Sequence, residues 1–229
     1  MAPVENSAAI SPGPDGRLRC WWCLRDRRYV EYHDREWGRP LLSDVGTFEH
    51  LTLEAFQSGL SWEIILRKRA AFRTAFSGFR PAVVAAYDGA DVARLLQDEG
   101  IVRNRRKIEA AVNNAGRAVE IIREFGSLAH FFWAFRPAPG PAPRWRADIP
   151  AVTEASRRLA AELRRRGLRQ LGPTTIQSHM QATGLLNDHV AGCWVREAVG
   201  REQQEAAVRL GPLAPPTQAG APLPSTGVL

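Results

Sequence analysis

Cysteine, lysine and long apolar runs are scarce in this sequence of 229 residues, and each scarcity excludes a class of protein. Three cysteines are an odd number and too few for a disulfide framework, and they are better suited to metal binding in a reducing cytoplasm. No stretch approaches the roughly 18 apolar residues of a membrane span, and the N-terminus lacks a signal-peptide core. These absences predict a cytoplasmic protein without a membrane partner.

Lysine is nearly missing, since only Lys68 and Lys107 occur among the 31 lysines and arginines. The formal net charge is +7 and the isoelectric point is near 10.1. A basic chain favours a polyanion such as nucleic acid as its partner. An arginine bias can also reflect genome composition alone, so charge favours nucleic acid without deciding it.

The chain is long enough, at 45% hydrophobic residues, to bury a full core as one domain or as two lobes around a cleft. Residues 1–18 are rich in Pro, Gly, Ala and Ser, and residues 197–229 end in prolines separated by Gly and Ala. Neither segment shows a periodic apolar face. We therefore expect a disordered leader over 1–18, a folded domain over 19–196 and a disordered tail over 197–229.

Between the two ends the apolar residues recur at helical spacing, and no run of strict alternation competes with them. Helices are predicted behind the potential capping residues Ser61, Ser127 and Thr153. Pro173 suits the first turn of a further helix. The sequence therefore predicts an all-α fold.

Two pairs of potential metal ligands lie near opposite ends of the expected domain. Cys20 and His33 have twelve residues between them, and His189 and Cys193 have three. Two thiolates and two imidazoles form the ligand set of a closed tetrahedral zinc site, which would clip the two ends of the chain together. Each pair alone is more commonly a buried structural cysteine or a core histidine, so the flanking sequence has to decide.

Aromatic residues are concentrated between residues 20 and 37. They are Trp21, Trp22, Tyr29, Tyr32 and Trp37. Glu54 lies in a second apolar segment that ends at Trp62, where a lone carboxylate is costly unless something binds it. A carboxylate beside electron-rich rings suits a cationic, planar, hydrogen-bonding group. An aromatic stripe is more often core than pocket, and Glu54 on a helix surface is an equally good interpretation.

These segments together resemble the type I 3-methyladenine DNA glycosylases, a branch of the helix-hairpin-helix glycosylase superfamily. The matching segments are residues 19–22, 29–38, 54–62, 100–104, 131–135 and 180–189. They occur in the order of that family, and the Tyr-His-Asp…Glu-Trp-Gly and Asn-Asp-His…Cys runs are specific. The resemblance implies a helix-hairpin-helix glycosylase-like fold.

The resemblance also implies one structural zinc ion per chain, joining the N- and C-terminal segments. Its ligands would be Cys20, His33, His189 and Cys193, which leave no position for a reactive water. Cys23 is not a ligand position of the family, although the Cys20-x2-Cys23 spacing is that of a zinc knuckle. Cys23 could exchange with Cys20, but packing as a small apolar residue is the favoured interpretation.

The implied activity is hydrolytic excision of 3-methyladenine from alkylated double-stranded DNA by a monomer, leaving an abasic site. The family's base pocket maps onto Trp22, Tyr29, Tyr32, Trp37, Glu54 and Trp62. Aromatic faces favour the cationic methylated base by about 0.5 to 2 kcal/mol each. Glu54, the expected catalytic residue, would accept hydrogen bonds from the adenine edge. The damaged base leaves easily, so its capture after flipping is most of the task, and no nucleotide cofactor is expected.

DNA binding is expected at a helix-hairpin-helix near residues 95–111, where Gly100 would turn the chain. Hairpin amides and a helix N-terminus would bind a phosphate. Charge would be added by Arg103, Arg105, Arg106 and Lys107. Leu60, in the loop after the Glu54 segment, is a candidate wedge into the base stack, although a core role suits it equally.

Three further expectations concern substrate choice and reaction type. Gln177 and His179 stand where the family often has aromatic residues, and we expect His179 to pack in the core. Neither Lys68 nor Lys107 falls in the pocket segments, so water rather than an amine should be the nucleophile. The rival hypothesis is a non-catalytic, zinc-clipped protein that recognises alkylated or distorted DNA, and Glu54 among its aromatic neighbours argues against it.

Overall fold

The computed structural model describes residues 9–212, which are mostly helical. The helices are α1 (Arg27–Arg35), α2 (Asp44–Gln57), α3 (Trp62–Ala75), α4 (Pro81–Val84), α5 (Gly89–Gln97), α6 (Arg105–Phe125), α7 (Leu128–Trp133), α8 (Glu154–Arg165), α9 (Pro173–Ala182) and α10 (Arg196–Leu210). Two short strands, β1 (Ile10–Pro12) and β2 (Leu18–Cys20), form an antiparallel ribbon in which Ile10 pairs with Cys20. The fold is therefore helical with one added ribbon, rather than strictly all-α.

Most of the predicted helix starts are confirmed by their capping contacts. The Ser127 hydroxyl accepts a hydrogen bond from the His130 amide at 3.1 Å, and the Thr153 hydroxyl accepts one from the Ser156 amide at 3.2 Å. Pro173 occupies the first position of α9, where its missing amide hydrogen costs nothing. Ser61 precedes α3 but its side chain makes no capping bond.

Helix α2 lies at the centre of the main core. All of its residues from 47 to 56 are buried, and it packs against α3, α6, α7 and α9. The core around it is rich in phenylalanine, including Phe48, Phe56, Phe72, Phe76, Phe79, Phe131 and Phe132, none of them more than 1% exposed. A polar side chain on α2 is therefore forced into the protein interior, unless it faces a cavity.

A smaller second cluster joins the two ends of the described chain. It contains Ala9, Cys20, Val190, Cys193, Val195 and Val199, all buried. Trp22 and Trp37 are partly buried and pack against it. The N-terminal ribbon and the segment before α10 are thus held together by apolar contact.

The structure corrects both expected ends of the folded segment. β1 lies inside the expected leader, and α10 lies almost entirely inside the expected tail. The α10 residues Val199 and Ala206 are buried, and the Gln203 amide donates to the carbonyls of Gly38 at 2.8 Å and Leu186 at 3.0 Å. A buried face made of valine, alanine and glutamine has too little hydrophobicity to stand out in sequence. The remainder of both expected disordered segments, residues 1–8 and 213–229, lies outside the described residues.

None of the helices within residues 9–212 combines the length and the apolar composition that a bilayer crossing requires.

If Gln203 holds α10 in place, alanine substitutions at two neighbouring glutamines should lower the stability of the protein by different amounts. Gln203→Ala should lower the free energy of unfolding by about 1 to 3 kcal/mol, because two buried carbonyls lose their donor. Gln204 is exposed on the same helix, so Gln204→Ala should change it by less than about 0.5 kcal/mol. Urea unfolding of both variants makes the comparison, and equal effects would show that α10 is not docked as described.

Candidate active site and metal centre

Four buried side chains from the two ends of the domain converge on one point. The ligand atoms of Cys20, His33, His189 and Cys193 all lie within 4.8 Å of one another. His33 Nε2 and His189 Nδ1 are 3.2 Å apart, and the Cys193 sulfur lies 3.5 and 3.6 Å from them. The Cys20 sulfur is 3.7 Å from His189 Nδ1. All four residues expected to form a metal site are thus brought together.

The separations fit a tetrahedral ion of a definite size. Zinc bonds of about 2.3 Å to sulfur and 2.0 to 2.1 Å to nitrogen would place ligand atoms about 3.3 to 3.8 Å apart at the corners of a tetrahedron. Four of the six separations agree with this range to about 0.1 Å, and all six are at most 4.8 Å. The donor set and its geometry therefore suit a metal ion bound by four protein ligands.

Both histidines are oriented by hydrogen bonds at the ring nitrogen that faces away from the cluster. His33 Nδ1 lies 2.8 Å from an Asp34 carboxylate oxygen, and His189 Nε2 lies 3.0 Å from the Trp37 carbonyl. Arg19, 2% exposed, in turn holds the Asp34 carboxylate at 2.9 Å. Such partners fix which nitrogen of a histidine is free to bind a metal. Cys23 is also fully buried, but it is not one of the four clustered ligands.

A cavity of about 240 Å³ opens beside the cluster. It is lined by Trp21, Trp22, Tyr29, Tyr32, Trp37, Glu54, Gln57, Trp62, Ile149, Ser178 and Gln181. All six residues expected in the pocket are among these. Ser178 and Gln181 were not foreseen, although their spacing of three residues on α9 places them on one helix face.

The aromatic walls of the cavity pack directly on the metal cluster. The Trp22 ring lies 5.4 Å from the His33 ring, and the Trp37 ring lies 4.7 Å from the His189 ring, both edge-on. Trp22 and Trp37 contact each other at 5.0 Å. The cluster therefore positions one wall of the cavity as well as joining the chain ends.

Glu54 is the carboxyl group that lines this cavity. Its side chain comes from the buried helix α2, and the residue is 5% exposed, so the helix-surface interpretation is wrong. Burial alone raises the pKa of Glu54 to about 8. Among residues 9–212, no arginine, lysine or histidine forms an ion pair with it. Glu49 on the same helix is, by contrast, paired with Arg69 and Arg73.

The groups around Glu54 carry no charge near neutral pH. Burial raises the pKa of Tyr32 well above its usual value, and that of Tyr29 in the same direction. His50 stacks against Tyr32 at 6.3 Å and against Trp62 at 6.0 Å, and burial lowers its pKa to about 3. The cavity thus presents one carboxyl group among neutral rings.

Behind this layer, His179 is completely buried and lies 4.8 Å from the Phe132 ring. It therefore packs in the core, as expected, rather than facing DNA. Burial lowers the pKa of His179 to about 3, so it too is uncharged.

Within the segment expected to form the hairpin, near residues 95–111, the loop of residues 98–104 joins α5 to α6. Arg103, Arg105 and Arg106 are exposed at its end. The Gly100 amide donates to the Asp98 carboxylate at 2.8 Å. Gly100 does not have the positive φ expected of a chain-turning glycine, but a Cβ there would lie 2.8 Å from the Ala71 methyl group. Close approach to α3 is therefore what requires glycine.

Lys107 makes contacts within the protein that the sequence did not predict. Its ammonium group donates to the carbonyls of Phe56 at 2.8 Å and Ser58 at 2.6 Å, at the end of α2. Two of its three N–H donors are thus directed at the end of α2 and the loop that follows it. Leu60, in that loop, is partly exposed and belongs to neither core cluster, so the core interpretation of Leu60 is wrong.

Comparison with known proteins shows the family of this chain. The family model of methyladenine glycosylases matches residues 22–197. The chain belongs to the methyladenine glycosylase family. It is 42% identical over 178 residues to DNA-3-methyladenine glycosylase 1 of Escherichia coli strain K12, covering 76% of this chain and 95% of that protein.

Solved structures of the family share the fold. A crystal structure of 3-methyladenine DNA glycosylase I has a TM-score of 0.73 at 42% identity, covering 77% of this chain and 98% of the other. The Staphylococcus aureus enzyme, solved to explain its recognition of 3-methyladenine, has a TM-score of 0.72 at 34% identity, covering 75% and 93%.

Burial of Glu54 predicts a stability difference that depends on pH. An ordinary carboxyl has a pKa of 4.5 and Glu54 has one of about 8, so the folded protein binds more protons than the unfolded chain between these values. Stability should therefore fall as pH rises through this window. Glu54→Gln removes that loss. The free energy of unfolding of the variant minus that of the wild type should therefore increase between pH 5 and pH 9, by on the order of 3 to 5 kcal/mol.

Urea unfolding at several pH values tests this expectation. Glu205→Gln serves as the control, because Glu205 is exposed on α10 and has no burial cost. Stability curves of Glu54→Gln and wild type that run parallel from pH 5 to pH 9 would contradict the burial of an unpaired carboxyl.

Proposed function

We propose that this chain is a DNA-3-methyladenine glycosylase that flips the methylated base from double-stranded DNA and hydrolyses its glycosidic bond. The supporting observation is Glu54, an unpaired buried carboxyl in a cavity of neutral aromatic rings. Such a cavity suits a planar cation with hydrogen-bond donors. Because the chain belongs to the methyladenine glycosylase family, we infer that this cation is methylated adenine.

The chemistry follows from the charge of the damaged base. Methylation at N3 of adenine places positive charge on the ring, which weakens the glycosidic bond and makes the base a good leaving group. The rings of Trp22, Tyr32 and Trp62 stabilise that charge, while Glu54 accepts hydrogen bonds from the exocyclic amine. Guanine carries a carbonyl at the equivalent position, which a carboxylate repels. The product is free base and an abasic site in an intact strand.

Selectivity comes chiefly from the difference between the cationic and the neutral base. An undamaged adenine brings no charge that would offset the cost of ionising the buried Glu54 carboxyl, so it gains no ion pair in the cavity. The methylated base supplies both the charge and the donors. Capture of the flipped base is therefore most of the protein's task, with modest extra activation, and water attacks the sugar without a covalent enzyme intermediate.

The four clustered ligands would hold one zinc ion in a structural role. With four protein ligands the ion has no open position for a water, so it would contribute stability and hold the chain ends together. The ion would also fix the position of one cavity wall, because Trp22 and Trp37 pack on the two histidines.

DNA would be held by a helix-hairpin-helix formed from α5, residues 98–104 and α6. The amides at the start of α6 can bind a phosphate, with charge from Arg103, Arg105 and Arg106. Leu60 would fill the space that the flipped base leaves in the stack. The cavity, the cluster and the hairpin all belong to one chain, so we expect the protein to act as a monomer.

The zinc proposal predicts different effects for two buried cysteines. Purified protein should contain about one zinc per chain. Cys193→Ser should lose the metal and lower the free energy of unfolding by several kcal/mol or prevent folding, because metal binding contributes directly to folding. Cys23→Ser, equally buried but outside the cluster, should retain the metal. Metal-free wild type would disprove the site, and zinc loss in Cys23→Ser but not in Cys20→Ser would reassign a ligand.

Release of free base from methylated DNA tests the proposed function directly. Wild-type protein should release 3-methyladenine and leave abasic sites. Glu54→Gln keeps the side-chain shape and removes the charge, so single-turnover excision should fall by about 10- to 150-fold, equivalent to roughly 1.5 to 3 kcal/mol. Zinc content and circular dichroism provide the control for an intact fold. Wild-type protein that binds methylated DNA without releasing base would instead be a non-catalytic recognition protein.

A further inference from the structure

Lys107 joins two parts of the molecule that are about fifty residues apart in sequence. Its ammonium nitrogen donates to the Phe56 carbonyl at 2.8 Å and to the Ser58 carbonyl at 2.6 Å. Phe56 lies in the last turn of α2, and Ser58 follows directly after the helix. Two hydrogen bonds from one ammonium group define its position closely, and partial burial lowers the pKa of Lys107.

The Phe56 carbonyl is one that the helix itself leaves without a partner, and the Ser58 carbonyl belongs to the residue at which the helix ends. The last four carbonyls of an α-helix have no intrahelical donor, and the C-terminus of a helix carries partial negative charge. A cation placed there satisfies both the hydrogen bonds and the charge. The helix that Lys107 caps in this way is α2, which carries Glu54.

The loop after α2 is internally closed. The Gln57 side-chain amide donates to the Leu60 carbonyl at 2.8 Å, and the Leu60 amide donates to the Gln57 carbonyl at 2.7 Å. Gly59 supplies the positive φ of 81° that this turn requires. Residues 57–60 therefore behave as one unit, here called the pocket loop, which places Gln57 in the wall of the cavity.

The other end of the connection is the hairpin. Lys107 lies in the first turn of α6, and its own amide donates to the Asn104 side chain that caps this helix at 3.2 Å. One residue therefore contacts the cap of the hairpin's second helix through its backbone and the pocket loop through its side chain. A change in the position of the hairpin would be transmitted to Gln57 and Leu60.

We propose that Lys107 is a positioning residue that fixes the pocket loop relative to the hairpin. DNA bound at the hairpin then has its damaged base beside the cavity and its base stack beside Leu60. This inference rests on the proposed glycosylase function. It replaces a phosphate contact by Lys107 with a contact inside the protein. Lys68 offers a contrast, because its ammonium donates to one carbonyl, that of Glu99, away from the pocket loop.

Lys107→Met tests the proposal, because it keeps side-chain length and removes the donors. Single-turnover excision at saturating enzyme should fall by about 10- to 100-fold, since misplacing a reacting group costs that much. The salt dependence of binding to undamaged duplex should keep its slope. Lys107→Arg, which can still donate to two carbonyls, should recover most of the rate.

A phosphate contact would give the opposite pattern. Lys107→Met would then reduce the salt slope by about one and weaken binding, with excision unchanged at saturation. Arg106→Met provides the positive control for a loss of slope, since Arg106 is exposed at the hairpin. Unchanged excision in Lys107→Met would overturn the positioning role.

Hydrogen exchange separates failure of this proposal from failure of the proposed function. The Leu60 amide, bonded to the Gln57 carbonyl, should exchange about ten-fold faster in Lys107→Met than in the wild type, even if neither protein releases base. Lys107→Gln, which is shorter and uncharged and keeps two N–H donors instead of three, replaces Lys107→Met should the latter not fold. Equal exchange in the variant and the wild type would show that Lys107 does not hold the loop.

Discussion

The burial of a carboxyl group without a counter-charge is the constraint on which the rest of this site depends. Glu54 is carried into the interior because α2 is buried on all sides, and ionising it there is costly. Nearby groups do not lower the cost, since Tyr32 and His50 are neutral. The cost is relieved either by a proton, which the pKa of about 8 describes, or by a cation that enters the cavity. A site so arranged would favour a positively charged base over a neutral one, which is the discrimination that the proposed function requires.

The arrangement requires that segments far apart in sequence be held at fixed distances. The cavity takes its walls from the turn and helix around residues 21–37, from α2 and the start of α3, and from α9. The Cys-His cluster fixes the first of these segments to the run before α10, with Trp22 and Trp37 resting on its histidines. Gln203 then binds α10 to the Gly38 carbonyl, next to Trp37. The aromatic walls are therefore supported by hydrogen bonds and by a metal-ligand cluster, as well as by apolar packing.

Much of the helical fold could be predicted from local sequence, because capping residues such as Ser127 and Thr153 act on neighbours three residues away. The two metal-ligand pairs were also recognisable, but their meeting at one point is a tertiary fact, which the family resemblance supplied. The role of Lys107 was missed because its partners are main-chain carbonyls, which have no signature in sequence. Helix α10 was missed for a related reason, since its buried face contains a glutamine that binds carbonyls instead of an apolar residue.

The most direct test of this account is an NMR titration of the Glu54 side-chain carboxyl, assigned with the Glu54→Gln variant, in the free protein and with 3-methyladenine. The account predicts a pKa near 8 in the free protein, and a clear fall when the base binds, because hydrogen bonds donated to the carboxylate favour its ionised form. A pKa near the ordinary 4.5 that does not respond to the base would contradict it.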